Sequence, residues 1–135
     1  MPFLNWEPRY QVGVALIDEQ HKGLFDQINV LSDAMQAGQG REEIKRTVAF
    51  LAQYTFDHFK AEEGLMQSTG YPGYREHKAI HDDLTRQVLE LQAKLEKGSQ
   101  MVSLAVMHFL RDWLSHHISE VDRKMTPHLN QSGIH

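Results

Sequence analysis

Residues 74–97 read YREHKAIHDDLTRQVLELQAKLEK, and one row of side chains in this stretch recurs at intervals of three or four positions. The row consists of Tyr74, His77, His81, Leu84, Val88, Leu91 and Leu95. Side chains three and four residues apart lie on one face of an α-helix, and a mainly apolar row with this spacing is typical of a helix packed in a bundle. The stretch therefore predicts an amphipathic helix that buries two histidines together with its leucines.

Three other segments carry rows with the same spacing. They are His21, Leu24, Ile28, Leu31 and Met35; then Ile44, Val48, Leu51, Thr55, His58, Glu62 and Leu65; and finally Val106, Leu110, Trp113 and His117. Phe25, Phe59 and Phe109 lie beside these rows and are predicted to enlarge the core. Glycine-bearing turns separate the segments, at AGQG (37–40), STGYPG (68–73) and KGSQ (97–100). The chain therefore divides into four helical segments.

The predicted helices span 18–37, 41–67, 74–97 and 101–125. Asp18 is the expected N-cap of the first helix, and Pro127 is expected to end the last. Connections this short favour antiparallel neighbours, so we predict an all-α, up-down-up-down four-helix bundle.

The length of 135 residues suits a single domain, 1–135. Within it we predict an irregular N-terminal arm (1–17), the bundle (18–125) and a C-terminal tail (126–135). The apolar arm residues Phe3, Leu4, Trp6 and Tyr10 are expected to pack onto the bundle.

Composition argues against several classes of protein. A net charge of −4 gives no basic surface for nucleic acid, and the absence of cysteine excludes disulfides, iron–sulfur clusters and thiolate zinc sites. No apolar run reaches the roughly 18 residues of a membrane span, and the first residues lack a signal-peptide pattern. We therefore expect a cytoplasmic protein, monomeric and without membrane insertion.

The polar members of the rows should meet at one end of the bundle. In an antiparallel bundle, the starts of the first and third helices share an end with the ends of the second and fourth. The residues in those segments are His21, His58, Glu62, His77, His81 and His117. Buried imidazoles and carboxylates destabilise a fold unless they have partners, and a convergent set of this kind indicates a metal site.

The fourth helix has two adjacent histidines, of which one should face inward. His117 continues the row of Leu110 and Trp113, whereas His116 lies in line with the charged residues Asp112 and Glu120. We therefore predict that His117 contributes to the site and that His116 is exposed to solvent.

The number and kind of ligands favour a pair of iron ions over one zinc. Zinc takes three or four protein ligands, and imidazole nitrogen combined with carboxylate oxygen suits iron, which bundle interiors bind in carboxylate-bridged pairs. A second bridging carboxylate is needed. Asp122 is the candidate if the helix widens locally after His117, because a residue five positions further along an ideal helix points about 140° away. Glu120 is the alternative, although it shares the face of His116.

Four motifs resemble those of the hemerythrin family, in particular its single-domain bacterial members. They are IDEQHKGLF (17–25), HFKAEE (58–63), HKAIH (77–81) and WLSHHISEVD (113–122). The resemblance implies two non-haem iron ions with an oxo or hydroxo bridge. It implies that they are held by His21, His58, His77, His81 and His117, with Glu62 and Asp122 as bridging ligands.

The resemblance also implies reversible dioxygen binding, for oxygen transport, storage or buffering. Five imidazoles, two bridging carboxylates and one bridging oxygen leave one of twelve coordination positions open, on the iron held by His21 and His58. Phe25, Phe59 and Trp113 are expected to line that position. Nitrogen ligands outnumber carboxylates, which argues against an oxygenase or ferritin-like enzyme. The alternatives are an oxygen sensor that acts through a partner protein and a di-iron enzyme (a peroxidase, a ferroxidase or a nitric-oxide-handling protein). An oxygen-consuming enzyme is a candidate partner.

Overall fold

Four long helices form the body of the protein. The computed structural model describes residues 3–38, 41–97 and 104–135. In these ranges the helices are α1 (Ala15–Gln36), α2 (Arg41–Thr69), α3 (Tyr74–Glu96) and α4 (Leu104–His116), and no strand occurs. Helices that follow each other along the chain, α1 with α2 and α2 with α3, pack side by side, and α4 lies against α1. The predicted all-α four-helix bundle is confirmed.

The predicted rows form much of the core. Ile28, Leu31, Val48 and Leu84 are buried. Phe109, in contrast, is 43% exposed, so the prediction that it enlarges the core is wrong. Phe109 precedes the inward row residue Leu110, and adjacent helical residues point about 100° apart.

Some predicted features lie outside the residues that the structure describes. They are the side chain of Val106, the predicted helix start at 101 and parts of the turns at 37–40 and 97–100.

The first helix begins earlier than its sequence predicts. Asp18 is not the N-cap: α1 starts at Ala15, and Val14 precedes it without a side-chain cap. The carboxylate of Asp18 instead accepts a hydrogen bond from the backbone N–H of Val12 at 2.8 Å. Gly13, between them, has φ +87°, a conformation that glycine adopts without a steric penalty. Asp18 therefore fixes the arm to the first turn of α1.

The arm packs on the bundle as predicted. Leu4 and Tyr10 are buried, and both backbone polar groups of Leu4 form 2.8 Å hydrogen bonds with the side-chain amide of Asn29. The ring of Trp6 lies 5.2 Å from that of Phe25. The arm is not wholly irregular, however, because Pro8–Tyr10 form a turn of 3₁₀-helix.

The chain after α4 is helical but not α-helical at first. A π-helical turn, His117–Val121, is followed by a 3₁₀ turn, Asp122–Met125, and by a short helix α5, Thr126–Gln131. The predicted local widening is confirmed, whereas the prediction that Pro127 ends the last helical element is wrong. Pro127 lies in the first turn of α5, where a missing N–H costs no helical hydrogen bond. The predicted tail thus forms a helix that buries Leu129.

Among the described residues, no helix is both long enough and apolar enough to cross a lipid bilayer.

Candidate metal centre

Seven buried polar side chains meet in the bundle interior. They come from α1, α2, α3 and the turns after α4, and they are His21, His58, Glu62, His77, His81, His117 and Asp122. Their nitrogen and oxygen atoms form two groups, within each of which all the atoms lie within 4.8 Å of one another. The three-imidazole group contains His77, His81 and His117, and the two-imidazole group contains His21 and His58; Glu62 and Asp122 belong to both.

Each shared carboxylate gives one oxygen atom to each group. Oε2 of Glu62 lies 2.8 Å from Nε2 of His58 and 3.0 Å from Nε2 of His21. Its other oxygen, Oε1, lies 3.2 Å from Nε2 of His81 and 3.4 Å from Nε2 of His77. Glu62 therefore lies between the two groups and presents one oxygen atom to each.

Asp122 divides its oxygens in the same way. Oδ2 lies 3.1 Å from Nε2 of His21, in the two-imidazole group. Oδ1 lies 2.8 Å from Nε2 of His77 and 3.0 Å from Nε2 of His117, in the three-imidazole group. The two groups are therefore adjacent and share both acids.

Helical spacing explains most of this convergence. His58 and Glu62 are four residues apart on α2, and His77 and His81 are four apart on α3, so each pair lies on one helical face. His117 and Asp122 are five apart. The backbone N–H of Asp122 donates to the carbonyl of His117, the i to i+5 bond of a π-turn, and this wider turn brings both side chains inward.

The structure separates each pair of rival residues at the end of the fourth helix. His117 is buried and His116 is exposed; Asp122 is buried and Glu120 is exposed. The side chains in the cluster are thus those of His117 and Asp122.

Several polar atoms of the cluster lack a hydrogen-bond partner, although His21 does contact Glu62 at 3.0 Å and His81 does contact His117 at 3.1 Å with good geometry. Oε1 of Glu62, both carboxylate oxygens of Asp122 and Nε2 of His58 and of His77 are buried and lack a hydrogen bond of good geometry among the described residues. Nε2 of His58 lies 2.8 Å from a Glu62 oxygen, but the angle between the two groups does not suit a hydrogen bond. Buried polar atoms are almost always satisfied in native proteins, so these atoms fit a set of ligands directed at metal ions.

Carboxylates and imidazoles of the cluster shift one another's pKa values. Burial would raise the pKa of Glu62, but the nearby imidazoles of His58, His21 and His77 hold it well below its ordinary value. Burial and the Glu62 charge likewise oppose ionisation of Asp122, and His117 and His21 outweigh them, so its pKa is also low. Burial lowers the pKa of His21 and of His77, but the nearby carboxylates of Asp122 and Glu62 raise each to about 9.

The raised pKa values of His21 and His77 predict how the stability of the metal-free protein depends on pH. Protonated His21 and His77 stabilise the folded state fully below the ordinary pKa of 6.5, and that contribution is lost as the pH rises through about 9. We expect the melting temperature of metal-free protein to fall between pH 6.5 and 9. Metal-loaded protein, in which metal replaces those protons, should show a smaller change. A metal-free melting temperature that rises over this interval would contradict the assignment.

Two further residues contact the cluster from outside. Nδ1 of His81 lies 3.0 Å from Oε2 of Glu63, and Nδ1 of His58 lies 2.6 Å from Oε1 of Gln20. Neither residue belongs to a predicted row, although both occur in the four family-like motifs: Glu63 follows Glu62, and Gln20 precedes His21.

Aromatic rings cover the three-imidazole group. Phe59 stacks on His81 with the ring centres 3.8 Å apart, and Trp113 stacks on His117 at 4.5 Å. The sequence predicts these two rings on the two-imidazole side, whereas their stacking contacts are with the other group. Phe25 contacts Trp6 and Tyr10 of the arm.

An apolar cavity of about 50 Å³ adjoins Phe59 and Trp113 in the bundle interior. Its lining is almost wholly aliphatic and aromatic, and includes Leu24, Leu51, Leu84 and Leu114. Apolar cavities of this kind exclude water, because a water molecule needs polar partners. The cluster is therefore bordered on this side by a dry region.

Residues 12–129 match the family model described as the hemerythrin HHE cation binding domain. The chain belongs to the hemerythrin family. Among its hemerythrin relatives is a bacteriohemerythrin of Methylococcus capsulatus (strain Bath), which is 37% identical over 131 residues, 96% of this chain and 99% of the relative. A hemerythrin chain of Sipunculus nudus is 33% identical over 91% of this chain and 90% of its own length.

Solved hemerythrin structures agree with the fold. A crystal structure of wild-type hemerythrin superposes with a TM-score of 0.89 and 38% sequence identity, covering 94% of this chain and 98% of that one.

Proposed function

We propose that this chain, as a single hemerythrin-like domain, binds dioxygen reversibly at a non-haem di-iron centre. The observation that carries the proposal is the division of Glu62 and Asp122, each of which presents one oxygen to the three-imidazole group and one to the two-imidazole group. His77, His81 and His117 would hold one iron, and His21 and His58 the other. Both carboxylates, with an oxo or hydroxo bridge, would link the two.

A pair of ferrous ions held by these residues would supply the two electrons that bound dioxygen takes up and returns on its release. The residues of the chain determine where dioxygen can bind. Three imidazoles and two carboxylates, with a bridging oxygen, would complete six ligands at the three-imidazole position, whereas the two-imidazole position would have five. The open position would therefore lie beside His21 and His58.

The surroundings favour binding over catalysis. The described buried polar residues are the seven of the cluster together with Ser32 and Thr55, and the Thr55 hydroxyl donates to the Leu51 carbonyl. No buried acid or base is thus left among them to deliver protons to bound oxygen. The apolar cavity beside Phe59 and Trp113 would exclude water from that side of the cluster.

Oxygen transport, storage or buffering in the cytoplasm, as a monomer that supplies an oxygen-consuming enzyme, is the role we propose for this chemistry. A cycle of absorption spectra tests it. Anaerobically reduced, iron-loaded protein should gain a visible band in air and lose it on degassing, over repeated cycles. A single irreversible change, or continued oxygen consumption with a reductant present, would favour an enzyme instead.

Replacing the inward histidine after α4 should remove iron, whereas replacing its exposed neighbour should not. His117 lies in the cluster and His116 faces solvent. We expect His117→Ala to lower bound iron from about two ions per chain to about one or fewer, because the three-imidazole position loses a ligand. His116→Ala is the matched control and should keep about two, measured by elemental analysis. The reverse pattern would refute the assignment.

A further inference from the structure

Two imidazoles, one in each group, have their outer nitrogen hydrogen-bonded to a side chain. His81, in the three-imidazole group, contacts the carboxylate of Glu63 at 3.0 Å. His58, in the two-imidazole group, contacts the amide oxygen of Gln20 at 2.6 Å. Nε2 of both rings points into the cluster, and a neutral ring that binds a metal ion through Nε2 carries its hydrogen on Nδ1 and donates it outward.

The partners differ in charge although their contacts are alike. A carboxylate that accepts the outer N–H of a ligating imidazole makes the ring a stronger electron donor, and a neutral amide does so less. The outer nitrogens of His21 and His117 are buried and have no hydrogen-bond partner among the described residues. Of these four imidazoles, the one with a charged outer partner, His81, belongs to the three-imidazole group.

Both partners are held by the helices. Glu63 is the next residue after Glu62 on α2, so its side chain points about 100° away, and it reaches His81 on α3 from outside the cluster. Its side chain is only 17% exposed, which limits screening of its charge by water. Gln20 is fixed through its backbone, because the Tyr54 hydroxyl donates to its carbonyl at 3.1 Å.

We propose that Glu63 is a positioning residue whose negative charge makes the three-imidazole position the stronger metal site and lowers the reduction potential of the ion held there. Gln20 orients His58 equally well but adds no charge, so the two-imidazole position binds its ion more weakly. The inference rests on the proposed metal pair. It adds that the charge outside the ligands, as well as the number of imidazoles, makes the two positions unequal.

The matched substitution is Glu63→Gln, which keeps the hydrogen-bond acceptor and the shape and removes the charge. Metal-free protein is titrated with Co(II), and anomalous scattering from crystals soaked with one equivalent shows which position fills first. In the wild type, the first ion should occupy the three-imidazole position. Glu63→Gln should weaken that step about tenfold and leave the second step unchanged.

Two other variants complete the experiment. Gln20→Glu should tighten the second step, because it gives His58 the charged partner that His81 has. Glu90→Gln is the control: it removes a carboxylate from the exposed Arg86 ion pair on α3 and should change neither step. In iron-loaded protein, Glu63→Gln should raise the reduction potential of the pair, because the lost negative charge stabilises the oxidised iron. A mere loss of packing would not be expected to raise the potential.

The results separate this inference from the proposed function. If wild-type protein binds two Co(II) ions and Glu63→Gln binds them with unchanged affinities and order, the charge of Glu63 has no such role and the inference is overturned, while the di-iron proposal stands. If wild-type protein binds no Co(II) at the cluster, both are overturned.

Discussion

Asp122→Ala should leave the protein unable to assemble the metal pair. Asp122 is fully buried, and its two oxygens lie within about 3 Å of imidazoles in both groups. Its removal takes a ligand from both positions at once, so we expect bound iron to fall from about two ions per chain to about one or fewer. Glu62→Ala should have the same effect for the same reason. Elemental analysis and the spectrum of the oxidised protein measure the loss.

The matched control for that loss is Glu120→Ala, which removes an exposed carboxylate two residues from Asp122. This variant should keep the iron content and the spectrum of the wild type. If Glu120→Ala loses the iron pair while Asp122→Ala retains it, the ligand is Glu120 and the assignment of Asp122 is wrong.

Removing the metal should lower the melting temperature by about 10 °C or more. Metal binds the folded state alone, and saturation at about a thousand times the dissociation constant stabilises it by roughly 4 kcal/mol. In a protein of this size each kcal/mol shifts the melting temperature by about 3 °C. Differential scanning calorimetry of loaded and metal-free protein at pH 8 measures the effect.

The loss of stability should be concentrated around the cluster. In metal-free protein, backbone amides near His58 and His77 should exchange faster, whereas those near Leu31 and Val48, in the apolar part of the core, should change little. Uniform changes at both ends of the bundle, or none, would contradict a stabilising role for the site.

The periodicity of the sequence predicted both the bundle and six members of the cluster, because both depend on residues three or four apart that share one face of a helix. His21, His58 and His81 extend apolar rows, and a regular helix carries each to the interior. Regular spacing could not decide between Asp122 and Glu120. The resemblance to a known family made that choice, and the π-turn gives its physical reason.

Other features depend on contacts that a local pattern does not contain. Asp18 is a residue type that favours the N-cap position. In the structure its carboxylate instead accepts a hydrogen bond from the backbone N–H of Val12, across Gly13 with its positive φ. Pro127 is a residue type that usually ends a helix. Here α4 ends before the π-turn that begins at His117, and the proline lies in the first turn of the next helix, α5. Gln20 and Glu63 lie off the rows, and only the packed helices show that they reach the outer nitrogens of two histidines.

Oxygen uptake per chain tests the central claim most directly. Protein loaded with two ferrous ions is equilibrated with a measured amount of dioxygen in a sealed cell, and the gas is then recovered by degassing. We expect one molecule of dioxygen to be taken up for every two irons and returned as dioxygen, with the ferrous protein restored. Uptake that is not recovered as dioxygen, or that exceeds one molecule per iron pair, would contradict reversible binding at this centre.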